Sequence, residues 1–151
     1  MLNSSSLSSF AVTYSLDVLK RCYDEVLVPQ AVRTEFSVRF AFPRGLRVWT
    51  LTDSQKIAAN QIGIGPGENE AIILAHDLML PLIIDDTEPY VVAKRLGIQS
   101  YRSLQFLRAA YRSCHISRME YDPLLDNFDT TRRADAIFVQ WARQAAKVAY
   151  L

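Results

Sequence analysis

Apolar residues along the chain form short aliphatic runs that alternate with stretches where they recur every three to four positions. The runs predict buried strands at residues 25–28, 47–51 and 82–84, and a short extended piece at 98–101. The periodic stretches predict helices between them. Strands that alternate with helices in this way favour a parallel sheet covered on both faces. We therefore expect an α/β protein with a three-layer α/β/α arrangement and a short central parallel sheet.

The last third of the sequence is predicted to be helical. Arg108 and Arg112 lie four apart in one helix, Ser117 and Glu120 fit a capping box for the next, and residues 126–131 predict a polar break. A final helix, from about residue 134, has an apolar stripe that should pack on the body of the protein or on a partner. The stripe comprises Ala134, Ile137, Phe138, Trp141, Ala142, Ala145, Val148 and Ala149.

Length and composition set the class of protein. The 151 residues are half apolar, which suits a single domain of residues 1–151, with a core at 1–120 and a C-terminal helical extension at 121–151. No apolar run reaches the roughly 18 residues that span a bilayer, and the first residues lack the pattern of a signal peptide. Cys22 and Cys114 have neither zinc-ligand spacing nor a disulfide pattern. A cytoplasmic protein without a membrane segment is expected.

Charge is distributed unevenly along the chain. Residues 1–93 hold 7 Lys and Arg against 11 Asp and Glu, whereas residues 94–151 hold 10 against 5. An acidic body with a basic final third suits a protein that grips a phosphate backbone beside a metal site. Arginines on solvated helix faces are the structural alternative.

Four acids flank the most apolar part of the chain. Glu68 and Glu70 precede a nearly all-apolar helix, and Asp85 and Asp86 follow the next strand. Carboxylates are costly to desolvate unless a positive charge meets them, which makes a divalent cation the obvious candidate. The alternative is structural, because acids are also favoured at helix N-termini. The nearby glycines precede no G-K-[ST] sequence, and the N-terminal serines lie in no G-x-S-x-G motif, so nucleotide-binding loops and serine hydrolases are disfavoured.

Two segments carry the acids in a fixed order. The first, DEVLVPQAVRTEF, contains Glu35 as its last but one residue. The second, GPGENEAIILA, is followed by LIIDD. This order resembles that of the PIN-domain nucleases, particularly the toxin-like branch of PIN-like predicted nucleic-acid-binding proteins, over about residues 1–120. By this match Glu35, Glu70 and Asp86 take the second, third and fourth acidic positions, with Glu68 and Asp85 as neighbours that could substitute.

The first acidic position is where the sequence departs from that family. PIN proteins carry an Asp there after the central first strand, whereas this chain has Asn3, preceded only by Met1 and Leu2. Either the start is misplaced or truncated, or the strand and its acid have decayed, and both interpretations stay open. At an effective dielectric of about 20 one carboxylate facing a divalent ion is worth at most about 8 kcal/mol. A net loss of about 3 kcal/mol would weaken metal binding about a hundredfold.

As an enzyme, the resemblance implies an endoribonuclease dependent on Mg²⁺ or Mn²⁺, and in toxin-like members a partner antitoxin that blocks the site. Glu35, Glu70, Asp86 and Asp85 would hold the metal, and Asn3 or Ser5 would position the attacking water. The RNA strand would be held by the basic residues Arg102, Arg108 and Arg112.

The second hypothesis is a catalytically inactive PIN-fold module that binds nucleic acid or protein. Without its first acid the fold could keep recognition and lose hydrolysis. The terminal stripe around Trp141 would then matter more than the acids, as a contact for a partner or for a second copy in a homodimer.

Overall fold

A computed structural model of the chain describes residues 1–132 and 136–148, and the side chains of these residues except those at 132 and 146–148. The described elements, in chain order, are α1 (Ser4–Val12), α2 (Leu16–Cys22), β1 (Leu27–Pro29), α3 (Gln30–Ser37), β2 (Arg47–Trp49), α4 (Asp53–Asn60), α5 (Pro66–Asp77), β3 (Leu82–Ile83), α6 (Thr87–Arg95), β4 (Ser100–Tyr101), α7 (Ser103–Arg112), α8 (Arg118–Arg132) and α9 (Ala136–Val148).

The strands form a short parallel sheet whose centre is only two residues long. β1 pairs with β2, and β3 pairs with β4, each in parallel. Between the two pairs, Leu2 forms a parallel bridge with Ile83 and donates its amide to the carbonyl of Leu27 at 3.0 Å. The amide of Ile83 donates to the carbonyl of Met1, also at 3.0 Å. Residues 1 and 2 therefore occupy the central strand position, and the order is β2, β1, residues 1–2, β3, β4.

Helix α5 is the most buried helix beside this sheet. It begins after Gly65, with Pro66 in the first turn, where the missing amide of proline costs no hydrogen bond. Ala71, Ile72 and Leu74 are fully buried. The first two pack with residues of β3 and α6, whereas Leu74 packs with Leu51 and with Ala59 of α4. Because apolar side chains surround this helix on several faces, burial holds its N-terminal acids in a fixed position.

Most predicted elements are present, with shifted ends. Helix α5 ends at Asp77, before the predicted stop at Pro81, and Met79 follows with a left-handed φ of 52°. Gly97 ends α6 with a φ of 74°, as predicted. The predicted capping box is confirmed, since the Ser117 amide donates to Glu120 at 2.8 Å and the Glu120 amide donates to the Ser117 hydroxyl at 3.3 Å.

The predicted polar break at residues 126–131 is wrong, because α8 runs through it. Thr130 donates its hydroxyl to the carbonyl of Asp126 at 2.9 Å, a bond within the helix. Arg143 on α9 pairs with Asp126 at 2.5 Å and lies 3.9 Å from Asp129. The polar side chains thus bind along α8 and to the neighbouring helix instead of ending the helix.

The apolar stripe of the last helix is confirmed in part. Ala142 and Ala145 are buried, and so is Val139, which the prediction omitted. Ile137 and Phe138 are 75% and 41% exposed. Ile137 lies off the buried face of positions 139, 142 and 145, whereas Phe138 lies on that face, four positions before Ala142, in the first turn of the helix. Ala134, Ala149 and the side chain of Val148 lie outside the described residues.

Contacts divide the chain into two compact units, and each has its own packing. The first comprises Met1–Ser8 and Glu25–Arg102, and contains the sheet with α3 to α6. The second comprises Ser9–Asp24 and Ser103–Leu151, where Phe10 packs edge-on against Phe106 at 5.6 Å and Phe128 at 6.3 Å. The predicted fold class, three-layer α/β/α with a short parallel sheet and additional C-terminal helices, is confirmed. The single domain with a boundary at residue 120 stays a prediction.

No helix among the described residues has the length and apolar character needed to cross a membrane.

Candidate acidic site at the edge of the sheet

Asn3 follows the central strand and caps helix α1. Its Oδ1 accepts a hydrogen bond from the Ser6 amide at 3.0 Å. Because a backbone amide can only donate, this contact fixes the orientation of the side-chain amide. Nδ2 therefore faces the other way, 3.0 Å from the Ser5 hydroxyl and 3.4 Å from Oε1 of Glu68. Asn3 is fully buried, and it presents donors to the acidic residue where an Asp would present a second negative charge.

Ser6 ties this turn to the sheet. The Ser6 hydroxyl donates to the carbonyl of Ile83 at 2.8 Å and accepts from the backbone amide of Asn3 at 3.2 Å. The start of α1 is thus joined to the end of β3, which leads to the two aspartates.

Glu35 lies in the last turn of α3, with both carboxylate oxygens hydrogen-bonded. Oε1 accepts from the Gly67 amide at 2.9 Å, and Oε2 accepts from the Ser4 hydroxyl. A Cβ atom at position 67 would lie 2.5 Å from Oε2 of Glu35 and 2.6 Å from Oγ of Ser4. Any side chain at position 67 would therefore displace the Glu35 carboxylate or the Ser4 hydroxyl, and glycine lets the start of α5 approach both.

Glu68 is the acid on which the charges of Glu35 and Asp86 act. Its pKa is raised, chiefly by burial and further by the negative charges of Glu35 and Asp86, while its own backbone amide and Asn3 oppose the shift. Three carboxylates from three different elements therefore lie within electrostatic range. Bringing like charges together destabilises the fold, which is typical of a site that a positive ligand completes.

Asp86 and Asp85 follow β3, on the turn that begins α6. Asp86 occupies the N-cap position and is exposed, and its side chain makes no capping hydrogen bond. The turn is held by Arg102, which donates to the carbonyl oxygen of Asp85 and to the Thr87 hydroxyl, the latter at 3.2 Å. The same guanidinium lies over the Tyr90 ring at 4.9 Å. Arg102 thus places one fixed positive charge beside the acids.

Glu70, predicted as the third acid, has a different neighbourhood. Its Oε2 accepts a hydrogen bond from the Ala31 amide at 2.9 Å, at the first turn of α3. A carboxylate there satisfies an unpaired amide and faces the positive end of the helix dipole. The structure therefore brings Glu68 towards Asn3 and Asp86, and brings Glu70 to a helix start.

The remaining predicted residues, Arg108 and Arg112, lie on α7 in the second unit. Sequence reasoning gave no role to Ser4 and Gly67, both of which contact Glu35. The run of serines after Asn3 could have predicted that Ser4 lies at the start of a helix, because serine is favoured there.

The chemistry of these donors suits a hard divalent cation, but they do not form a closed cage. Carboxylate oxygens and water are the ligands of Mg²⁺, which is often held by only one or two carboxylates. Within residues 1–132 and 136–148, no three Asp, Glu, His or Cys side chains are grouped so that they could hold a metal ion together. The residues present therefore fit a water-rich site and do not fit an enclosed one.

Fold and site together define a class of α/β domain that presents carboxylates at the carboxyl edge of a short parallel sheet. The chain belongs to the PIN domain family: a family model described as a PIN domain matches residues 1–134. No curated protein and no solved structure matches the chain significantly. The family assignment confirms the resemblance and gives the chain a nuclease-type fold. PIN domains generally depend on divalent metals, and the family suggests nucleic-acid binding.

Proposed function

We propose that the chain is a divalent-metal-dependent endoribonuclease whose acidic site is formed by Glu35, Glu68 and Asp86. The observation that supports this most directly is the position of Glu68, whose Oε1 lies 3.4 Å from Nδ2 of Asn3 at the end of the central strand; its pKa is raised by burial and further by the other two carboxylates. A PIN domain that keeps three acids in electrostatic contact, despite the cost in stability, has the charge arrangement of a cation site.

Each side chain has a role consistent with its contacts. Because no three carboxylates of the described residues can contact one ion together, Glu68 would bind Mg²⁺ or Mn²⁺, and Glu35, Asp86 and Asp85 would act on the ion through bridging water. The ion, when bound, neutralises phosphate charge and lowers the pKa of water. The Nδ2 group of Asn3 and the hydroxyl of Ser5, which lie 3.0 Å apart, would orient the attacking water.

Arg102 would hold a phosphate beside the acids. Its guanidinium is positioned by the Asp85 carbonyl, by Thr87 and by the Tyr90 ring, so little side-chain entropy remains to be lost on binding. Arg108 and Arg112, on α7 of the second unit, would also contact RNA.

The test is cleavage of a structured RNA with Mn²⁺ by the wild type, Glu68→Gln and Glu70→Gln. We expect Glu68→Gln to lose at least a hundredfold in rate. Glu70→Gln should keep most of the rate, because the amide oxygen of the new side chain can still accept from the Ala31 amide. The two variants make the same Glu-to-Gln change at positions two residues apart on α5, so each is the control for the other. Absence of metal-dependent cleavage in all three proteins would refute the enzymatic role.

The second candidate is a PIN-fold module that binds RNA or protein without hydrolysis. It is favoured by the Nδ2 group of Asn3, which faces Glu68 where the family has an acid, and by the lack of a closed set of three ligands among the described residues. RNA binding that weakens steeply with salt and ignores Mn²⁺ would support this candidate. Cleavage gained by Asn3→Asp would identify an active site that has lost one acid.

A toxin role, with an antitoxin as partner in the cytoplasm, belongs to the same proposal. An antitoxin would have to cover the acids or Arg102. Expression of the wild type should then arrest growth, and Glu68→Gln should relieve the arrest. Equal toxicity of both proteins would count against the role, and sedimentation velocity would show whether the isolated chain forms a homodimer.

A further inference from the structure

The second compact unit contains a cavity of about 610 Å³ with arginines at one side. Arg108, Tyr111 and Arg112 of α7 line it, together with Ile116 of the following loop and Ala145 of α9. Sites for small ligands have volumes of about 300–1,000 Å³ and combine apolar walls with a few polar groups. The cavity therefore has the size and lining of a ligand site, and none of the acids of the sheet edge contributes to it.

Arg108 is fixed against one wall of the unit. Its guanidinium carbon lies 3.9 Å above the centre of the Trp141 ring, a stacking contact that limits the side chain to few conformations. The Nε atom is buried and has no hydrogen-bond partner among the described residues. Because Nε is closed off from solvent, a ligand in the cavity would meet the terminal nitrogens of the Arg108 guanidinium instead.

Three other arginines of this unit have carboxylate partners among the side chains that the structure describes. Arg21 pairs with Glu120 at 2.7 Å, and Arg118 pairs with Asp122 at 3.3 Å. Arg143 pairs with Asp126 and Asp129. In the part of the chain that the structure describes, neither cavity arginine takes part in an ion pair within 4.0 Å. Glu120, Asp122, Asp126 and Asp129 are thus already paired, and the two cavity arginines keep their positive charges for an anion.

We propose that this cavity binds one nucleotide, with the phosphate held by Arg108 and Arg112 and the base or sugar against Ile116 and Ala145. Guanidinium groups match phosphate oxygens in a bidentate manner, and a cavity of about 610 Å³ is far larger than a simple carboxylate ion needs. Tyr111 is stacked on Tyr121 at 4.6 Å, so its ring forms a rigid wall. The nucleotide is either free or part of an RNA strand, and only the second case rests on the proposed function.

The experiment is isothermal titration calorimetry in EDTA at low salt, with adenosine monophosphate and with a ten-nucleotide single-stranded RNA as separate ligands. The variant Arg112→Gln changes an exposed residue, which should leave the fold intact, and Arg108→Lys keeps the charge but loses the planar fork. Arg95→Gln, at the exposed end of α6, is the matched control for charge. We expect Kd to rise about tenfold or more in the two cavity variants and to stay within about twofold in the control.

EDTA separates this test from the enzymatic proposal, since binding is measured without metal and does not depend on cleavage. If the Kd of adenosine monophosphate rises in both arginine variants, the ligand is a free nucleotide. If only the Kd of the RNA rises in these variants, the cavity is a subsite for an RNA strand. If neither ligand binds, or if Arg95→Gln weakens binding as much as Arg112→Gln, the proposal is overturned.

Discussion

Asn3→Asp changes the candidate site by one atom. Asp and Asn cap helices almost equally well, and Oδ1 keeps its hydrogen bond from the Ser6 amide, so the start of α1 should not change. The change falls on the opposite side of the group, where Nδ2 lies 3.4 Å from Oε1 of Glu68. A donor is removed there, and a negative charge is added beside an acid whose pKa is already raised by burial and by Glu35 and Asp86.

The size of the effect follows from that distance. Two unit charges 3.4 Å apart repel by about 5 kcal/mol at an effective dielectric of about 20, which is an upper bound. Rotation of the side chains and uptake of a proton relieve part of the repulsion, so we expect a net loss of about 2 kcal/mol at pH 7. For a chain of this length, that loss lowers Tm by about 4–8 °C.

The assay is thermal unfolding of the wild type and of Asn3→Asp at pH 7, in EDTA and with Mn²⁺. In EDTA the variant should melt below the wild type, and Mn²⁺ should raise its Tm more than that of the wild type. A cation at a hundred times its Kd supplies about 2.7 kcal/mol, enough to restore the loss. Asn60→Asp adds the same charge at an exposed position on α4, and should change little in either condition.

A variant as stable as the wild type in EDTA would refute the electrostatic assignment, because Nδ2 would then not face an acid. Equal shifts with Mn²⁺ in both proteins would show that Asn3 is not opposite the cation site.

Three further predictions concern the same group of residues. Glu68→Gln should raise Tm at pH 7 and raise it less at pH 4. A carboxyl group whose pKa is raised by folding adds stability below its unfolded pKa, and this stability is lost as pH rises through its folded pKa. Equal shifts of Tm at both pH values would contradict the electrostatic origin. Gly67→Ala should cost about 1–3 kcal/mol in urea unfolding, because the new methyl group would lie 2.5 Å from Oε2 of Glu35; an unchanged midpoint would show that the carboxylate moves freely. Glu70→Ala should cost about 1 kcal/mol by removing the acceptor of the Ala31 amide, and should leave RNA cleavage intact; lost cleavage at unchanged stability would instead assign Glu70 to the metal.

The hydrophobic pattern was sufficient for the order of the elements and for the fold class. It failed where polar residues lie inside a helix, as at residues 126–131, because their partners are on another helix: Asp126 pairs with Arg143, 17 positions later. Periodicity records burial along one element and contains no information on such pairs. The ends of α5 and β3 differ from the prediction for a related reason, since hydrogen bonds, and not composition, decide where an element stops.

The central strand position illustrates a second limit. Met1 and Leu2 are too few to show any periodicity, and they are identified as strand residues only by their bonds to Leu27 and Ile83. Once those bonds are known, the position of Asn3 follows, because the residue after a central parallel strand lies at the carboxyl edge where ligands bind. The sequence indicated the residue type at that edge, and the structure adds the direction in which its amide points.

The choice between Glu68 and Glu70 depends on helix geometry. Residues two apart on an α-helix point about 200° away from each other, so the two carboxylates must reach different neighbours. In a helix with one apolar stripe, the stripe would show which of the two acids faces inwards. Helix α5 buries residues 71, 72, 74 and 75, so its hydrophobic pattern does not define a single inward-facing side. The proposal rests on the neighbours instead: the Ala31 amide donates to Glu70, while Asn3, Glu35 and Asp86 act on Glu68. A cation at the proposed site would therefore contact Glu68, which the resemblance treated only as a neighbour of Glu70 that could substitute for it.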